Sequence, residues 1–261
     1  MLPDISWLNL VFILVAALGA GLIDSMVGGG GLIQTPALFA AFPNTAHAQL
    51  LGTSKLAGIG GTTSAAFRYA RSVRIPWRFA LPATIAAFVA ALAGASLTTQ
   101  IPSQFFRPLV PFMLAAVFLY VARRRDFGTQ HAPRAANANA IALAAVGGAG
   151  IGFYDGFFGP GTGTFLVFFF VRVFALDFLH ASAAAKIVNI AANAAALLLF
   201  GFTGNVLWVL GLAMMACNIL GSVIGSHLAI RHGSAFVRKV FLAVVSALIA
   251  KTAWDSLSGL L

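Results

Sequence analysis

Two lysines, Lys55 and Lys186, lie about ten residues into apolar runs, where a cation is costly and usually functional. Asn189 and Asn193 follow Lys186 at i+3 and i+7, so the three share one helical face. The matching face of the first half carries Lys55, Gly58 and Thr62, with Thr53 and Ser54 beside it. Ammonium, amide and hydroxyl donors on one face suit a small oxyanion. An ion pair of each lysine with Asp24 or Asp155 is the competing structural reading, and both can hold together.

The aspartates open two glycine clusters, "DSMVGGGG" (24–31) and "DGFFGPGTG" (155–163). Glycine lets backbone leave helical geometry, and irregular backbone at membrane depth survives only where it lines a cavity or is buried in protein. A helix restarting after each cluster aims free N–H groups and a partial positive charge at the break. Pro160 fits such a restart, since proline suits a first helical turn. Gly28, Gly29, Gly30 and Gly31, with Gly159, Gly161 and Thr162, are therefore expected to form an anion site with the lysines, Ser54, Asn189 and Asn193. Gln34 and Thr164, just beyond the breaks, rank lower. A carboxylate withdrawn from water favours its neutral form, so Asp24 and Asp155 are candidates for carrying coupled protons, with Tyr154 as a gate or anchor.

These residues repeat at a fixed offset of 131. Asp24 falls on Asp155, Lys55 on Lys186, Trp77 on Trp208 and Arg107 on Arg238. Gly28, Gly30 and Gly94 fall on Gly159, Gly161 and Gly225, and Phe105 falls on Phe236. Asp, Lys and Trp are scarce in this chain, so their coincidence at one offset carries weight. Two repeats, 1–130 and 131–261, are expected to fill the chain, with a central site between them.

The elements that position these residues must be membrane helices. The chain is 60% apolar and only 8% charged, against roughly 25% in a soluble domain. The expectation is an all-α polytopic membrane protein with about ten hydrophobic segments and eight to ten spans. First-half segments lie near 8–24, 30–42, 46–67, 77–98 and 105–122; the second half repeats them near 139–155, 160–176, 180–201, 206–228 and 236–255. The segment after each glycine cluster is short, a half-helix or a tilted span, so each repeat carries a glycine-broken helix. Arg68, Arg71, Arg74 and Arg78 mark one cytoplasmic loop, and Arg123, Arg124, Arg125 and Arg134 another. Arg231, Arg238 and Lys239 join them inside only if the second repeat is inverted, which is the expected plan.

Several classes are set aside. The net charge of +10 lies in short clusters between apolar spans, so no nucleic-acid partner is expected. Cys217 is the single cysteine and the five histidines are scattered, so no metal site is expected. "GFFGPGTGT" lacks the Lys-Ser/Thr ending of a phosphate-binding loop. Asp24 and Asp155 resemble an intramembrane aspartyl pair, yet each is matched with a lysine and a glycine break. No enzyme, catalytic residue or cofactor is expected. Lys251 and Asp255 read as a surface pair. The N-terminal "MLPDISWLNL" lacks the basic region of a signal peptide and is expected to be retained.

The chain resembles the sulfite exporter TauE/SafE family of membrane transporters, and among them the YfcA-type members. The resemblance rests on "GLIDSMVGGGGLIQTPAL" (21–38), "GTSKLAGIGG" (52–61), "GFYDGFFGPGTGTF" (152–165) and "AKIVNIAANAAALLLF" (185–200). It implies a carrier in the bacterial inner membrane that moves sulfite or organosulfonates. The residues themselves indicate an anion, a two-fold repeat and a central site. An anion channel of the same architecture is the alternative that the sequence leaves open.

Overall fold

The structure is a computed structural model and describes residues 6–98, 109–123, 127–135 and 137–258; of 109–114, 248 and 251–258 only the backbone is described. Phe105, Arg107, Arg124 and Arg125 lie outside the described residues, as do the side chains of Lys251 and Asp255. Among the described residues the only regular elements are helices: α1 (Trp7–Val27), α2 (Gly31–Ala41), α3 (His47–Ser72), α4 (Trp77–Thr98), α5 (Leu109–Arg123), α6 (Ala138–Phe157), α7 (Thr162–Phe174), α8 (Phe178–Phe202) and α9 (Trp208–Ser258). Gly233, at φ 76°, breaks α9 into two helices. α6, α7, α8 and α9 each begin 131 residues after α1, α2, α3 and α4, at 138/7, 162/31, 178/47 and 208/77.

Among the described residues, five helices are long and apolar enough to cross a bilayer: α1, α4, α6, α8 and the stretch Trp208–Ala247 of α9. α2 and α7 have 11 and 13 residues. They rise only about 17 and 20 Å, against a hydrocarbon core of about 30 Å. α3, with 26 residues, is long enough to cross but carries the polar Thr, Ser and Lys of the site on a buried face.

Contacts fix the direction of each helix. Thr53 near the start of α3 accepts from the Leu207 N–H just before α9 (2.9 Å), and Phe67–Ser72 at its end face His227 and Ile230. α3 and α9 thus run in the same sense. α8 runs against them, since Gly52 abuts Phe200 at the end of α8. At the other end Tyr69 of α3 and Ser182 of α8 both donate to the last turn of α1, on Ser25 and Met26. The helices paired by the 131 offset, α3 and α8, are therefore antiparallel.

The short helices double back. Leu38 and Phe42 pack with Ile13, Leu50 and Leu210, so α2 returns to the end from which α1 came. Phe169 of α7 lies against Gly147 of α6, so α7 likewise returns along α6. Phe174 then stacks on Phe79 at the opposite end of the molecule (4.4 Å between centroids). That second end gathers the charge. Arg68, Arg71, Arg74, Arg78, Arg123, Arg134, Arg172, Arg231, Arg238 and Lys239 all lie at the ends of α3, α5, α7 and the first part of α9, at the starts of α4 and of the second part of α9, or in the adjoining loops. The opposite turns, 42–46 and 203–207, hold no Lys or Arg.

Alanine and glycine let these helices approach closely. Gly148, Gly152 and Gly156 of α6 lie on Ala83, Ala87 and Ala91 of α4 so tightly that an added Cβ would fall within 2.6 Å of backbone. Gly21 of α1 meets the Asn218 carbonyl of α9 in the same way. Without a hydrophobic force between helices in lipid, such close packing supplies the association.

Candidate functional site

Asp24 and Asp155 occupy the last turns of α1 and α6, just ahead of the glycine breaks. Gly28 (φ +79°) turns the chain out of α1, and a Cβ there would sit 2.2 Å from the Gly163 carbonyl carbon. The two breaks therefore touch, backbone against backbone. Gly159 (φ +88°) makes the equivalent turn after α6 beneath the Lys55 ammonium. Neither α2 nor α7 has a side-chain N-cap; the Leu32, Ile33 and Thr162 N–H groups close on the Gly29, Gly30 and Gly159 carbonyls, and the positive ends of both helix dipoles lie at the breaks.

The lysines pair across the halves. Lys55 donates to Asp155 Oδ2 at 2.6 Å, and both side chains are buried. Lys186 donates to Asp24 Oδ2 at 3.0 Å and also to the Asp24 carbonyl oxygen. Asp24 further accepts from Thr62 Oγ1 (3.3 Å) and the Gly30 N–H (3.4 Å). Two cations and two carboxylates leave the centre with no net charge. The Asp24 side chain is 17% exposed and Asp155 only 2%, so the cavity is wetter on the Asp24 side.

A cavity of about 60 Å³ lies between the breaks, at the middle of α3 and α8. That is room for a few waters or one small polyatomic ion. Of the residues singled out from sequence, Asp24, Gly29, Gly30, Gly31, Gln34, Ser54, Lys55, Gly58, Thr62, Asp155, Gly159, Gly161, Thr162, Asn189 and Asn193 line it. Gly28, Tyr154 and Lys186 do not. Gly28 forms the contact between breaks. Tyr154 donates to the Pro160 carbonyl at 2.5 Å and staples its own break, and Lys186 stands behind Asp24. Asn193 donates to Asn189 Oδ1, which orients both amides.

The sequence flags only part of one wall, Gln34 and Ser54 but not Thr35 or Asn218. Asn218 of α9 lines the cavity and donates to Gln34 Oε1 (3.0 Å) and the Ala17 carbonyl (3.1 Å). Gln34 in turn donates to the Ser54 carbonyl and hydroxyl, and Ser54 bonds Thr35. At the 131 offset these polar residues face Ala87, Phe165, Ala185 and Leu166. Charges and glycines are two-fold; this amide–hydroxyl wall is one-sided. Thr164 is also buried, and its hydroxyl has no hydrogen-bond partner among the described residues. It lies outside the cavity lining.

The family model described as "Sulfite exporter TauE/SafE" matches residues 13–252. A probable membrane transporter protein, ORF9 of a Sinorhizobium species, is 36% identical over 257 residues, covering 97% of this chain and 96% of that one. The probable membrane transporter protein YfcA of Escherichia coli K12 is 33% identical over 252 residues, covering 97% and 92%. A probable membrane transporter protein of Haemophilus influenzae is 32% identical over 236 residues, covering 90% and 91%. No solved structure matches.

Proposed function

Because the chain belongs to the sulfite exporter TauE/SafE family of membrane transporters, we propose that it is a secondary carrier of small anions, sulfite or organosulfonates first among them. The observation that carries this reading is that two uncapped helix starts and two lysine–aspartate pairs converge on one small cavity. An oxyanion there meets the positive ends of the two short helices, the Lys55 ammonium and the amides of Asn189 and Asn193.

The site's neutrality sets how an anion enters. A monoanion added to two lysines and two aspartates leaves one uncompensated negative charge in a low-dielectric centre, which is strongly unfavourable. The anion must displace a carboxylate from its lysine, and a proton on that carboxylate restores neutrality. Asp24 is the more exposed of the two and takes that role, which releases Lys186 to join Lys55 around the anion. Anion and proton then move together, and the energy comes from ion gradients.

The antiparallel run of α3 and α8, and the helix starts spaced by 131, support inverted repeats covering 1–130 and 131–261. α1 with α2 enters and leaves by one end, and α6 with α7 by the other, so the crossings in each half stay odd in number. The collected arginines favour the end of α3 as cytoplasmic in a bacterial inner membrane. Rocking of one repeat against the other about the touching breaks would expose the cavity to each side in turn.

The test is sulfite and organosulfonate uptake into proteoliposomes by wild type and a folded Lys55→Ala variant. Saturable uptake abolished in the variant supports the reading. Uptake of neither anion removes the proposed substrates, and variant uptake equal to wild type removes the lysine from the site.

A further inference from the structure

At the arginine-rich end, away from the central cavity, the connection between the halves docks on the corner between α7 and α8. Three backbone bonds hold it: Ala132 N–H to the Ala175 carbonyl (3.1 Å), Arg134 N–H to the Phe174 carbonyl (3.1 Å) and Phe178 N–H to the Gly128 carbonyl (2.8 Å). Gly128 (φ +69°) lies so close over the Phe178 ring that a Cβ would fall 2.4 Å from it. His131 sits between these anchors, so its backbone is fixed relative to α8.

Facing it are Asp177, the N-cap of α8, and His180 in the first turn of α8. The His131 and His180 rings stack at 3.8 Å between centroids, and one ligating atom from each of the three residues lies within 4.8 Å of the others. The capping role of Asp177 accounts for only part of this. Its Oδ1 takes both the His180 N–H (2.8 Å) and the His180 Nδ1 contact (2.7 Å), leaving Oδ2 for another partner. Capping gives no reason for a second imidazole carried in from a distant segment. The corner has no repeat counterpart, since Asp177 and His180 correspond to Ala46 and Gln49 at the 131 offset.

We propose that His131, Asp177 and His180 form a binding site for a divalent transition-metal ion, zinc or a similar borderline cation, at the junction of the two halves. Two imidazoles and one carboxylate are a donor set for zinc-like ions rather than magnesium or calcium, which prefer oxygen alone. Ligands about 2.0–2.1 Å from a tetrahedral ion stand roughly 3.4 Å from one another. The exposed His131 side chain closes the remaining gap by rotating, and the fourth position faces solvent. A bound ion fastens the inter-repeat connection to the base of α7, whose other end lines the central cavity.

The site is tested with the full chain, free of any histidine tag, stripped with chelator in detergent and titrated with Zn²⁺ against a chromophoric chelator. The expected result is one Zn²⁺ per chain, weakened at least ~10-fold by His131→Ala or His180→Ala and unchanged by His227→Ala. Co²⁺ in the same site should give the visible absorption of a four- or five-coordinate ion. Absence of stoichiometric binding in wild type overturns the proposal, as does undiminished binding by His131→Ala. That variant alters an exposed side chain and decides the matter alone should His180→Ala fail to elute as folded protein.

Discussion

Replacing Lys55 and Asp155 singly and together separates their structural and binding roles. The pair is 2.6 Å apart, with side chains only 9% and 2% exposed. Lys55→Met leaves a buried carboxylate without its partner, and Asp155→Leu leaves a buried ammonium. Each single variant should lose about 3–5 kcal/mol, the usual penalty for stranding one member of a buried pair. The double variant removes both charges, and a buried pair exchanged for apolar residues is neutral or stabilising. Its unfolding midpoint in detergent should therefore return to about the wild-type value, giving a coupling energy of about 6–10 kcal/mol, the sum of the two single losses, in the double-mutant cycle. Transport should behave differently. If the Lys55 ammonium contacts the anion, the double variant is stable yet shows no saturable anion uptake in proteoliposomes. A double variant that regains both stability and uptake would refute the reasoning, because the pair would then be scaffold and the anion site would lie elsewhere.

Other expectations follow from single residues. Gly28→Ala should lower the yield of monodisperse protein and cost well over ~1 kcal/mol, given φ +79° and the contact with Gly163; Gly19→Ala, with nothing within 4 Å, should behave as wild type in the same thermal assay. Asp24→Asn should abolish the stimulation of sulfonate uptake by an inward proton gradient, and an unchanged response would remove Asp24 from coupling. For Asp177, burial pushes the carboxyl up, but hydrogen bonds from the His180 ring and N–H and the neighbouring imidazole charges outweigh it and hold it below the usual carboxylate range. Its charge therefore stabilises the fold above the unfolded value of about 3.9, and that contribution is lost as pH falls through the lower folded value. The gap in melting temperature between wild type and Asp177→Asn should close in acid; a gap constant from neutral pH to pH about 3 would contradict this.

The site was legible where its residue types are scarce. Asp24, Lys55 and their counterparts stand out in a chain with six acidic residues and no glutamate, and the glycine clusters announce where the helices stop. Periodicity put Asn189 and Asn193 on the face of Lys186, and both line the cavity. What sequence could not supply was which distant residues meet. Whether each lysine pairs within its own half or across depends on how the halves interlock. The Gln34–Asn218 bond joins residues 184 apart, and Asn218 has no polar counterpart at the 131 offset to flag it. The histidines looked scattered because His131 and His180 come together only when the segment 127–135 docks on the α7–α8 corner. Segment lengths were readable, and α2 and α7 are as short as the sequence suggested. Their doubling back was not, since hydropathy carries length and burial but no direction.

The most direct measurement is counterflow. Proteoliposomes loaded with unlabelled sulfite are diluted into trace labelled sulfite, with no proton gradient or membrane potential imposed. A carrier with one central site presented alternately to each side should accumulate label transiently, saturably and only when the lumen is loaded. Label that merely equilibrates, at a rate linear in concentration and independent of lumenal sulfite, would contradict the alternating site and point to a channel.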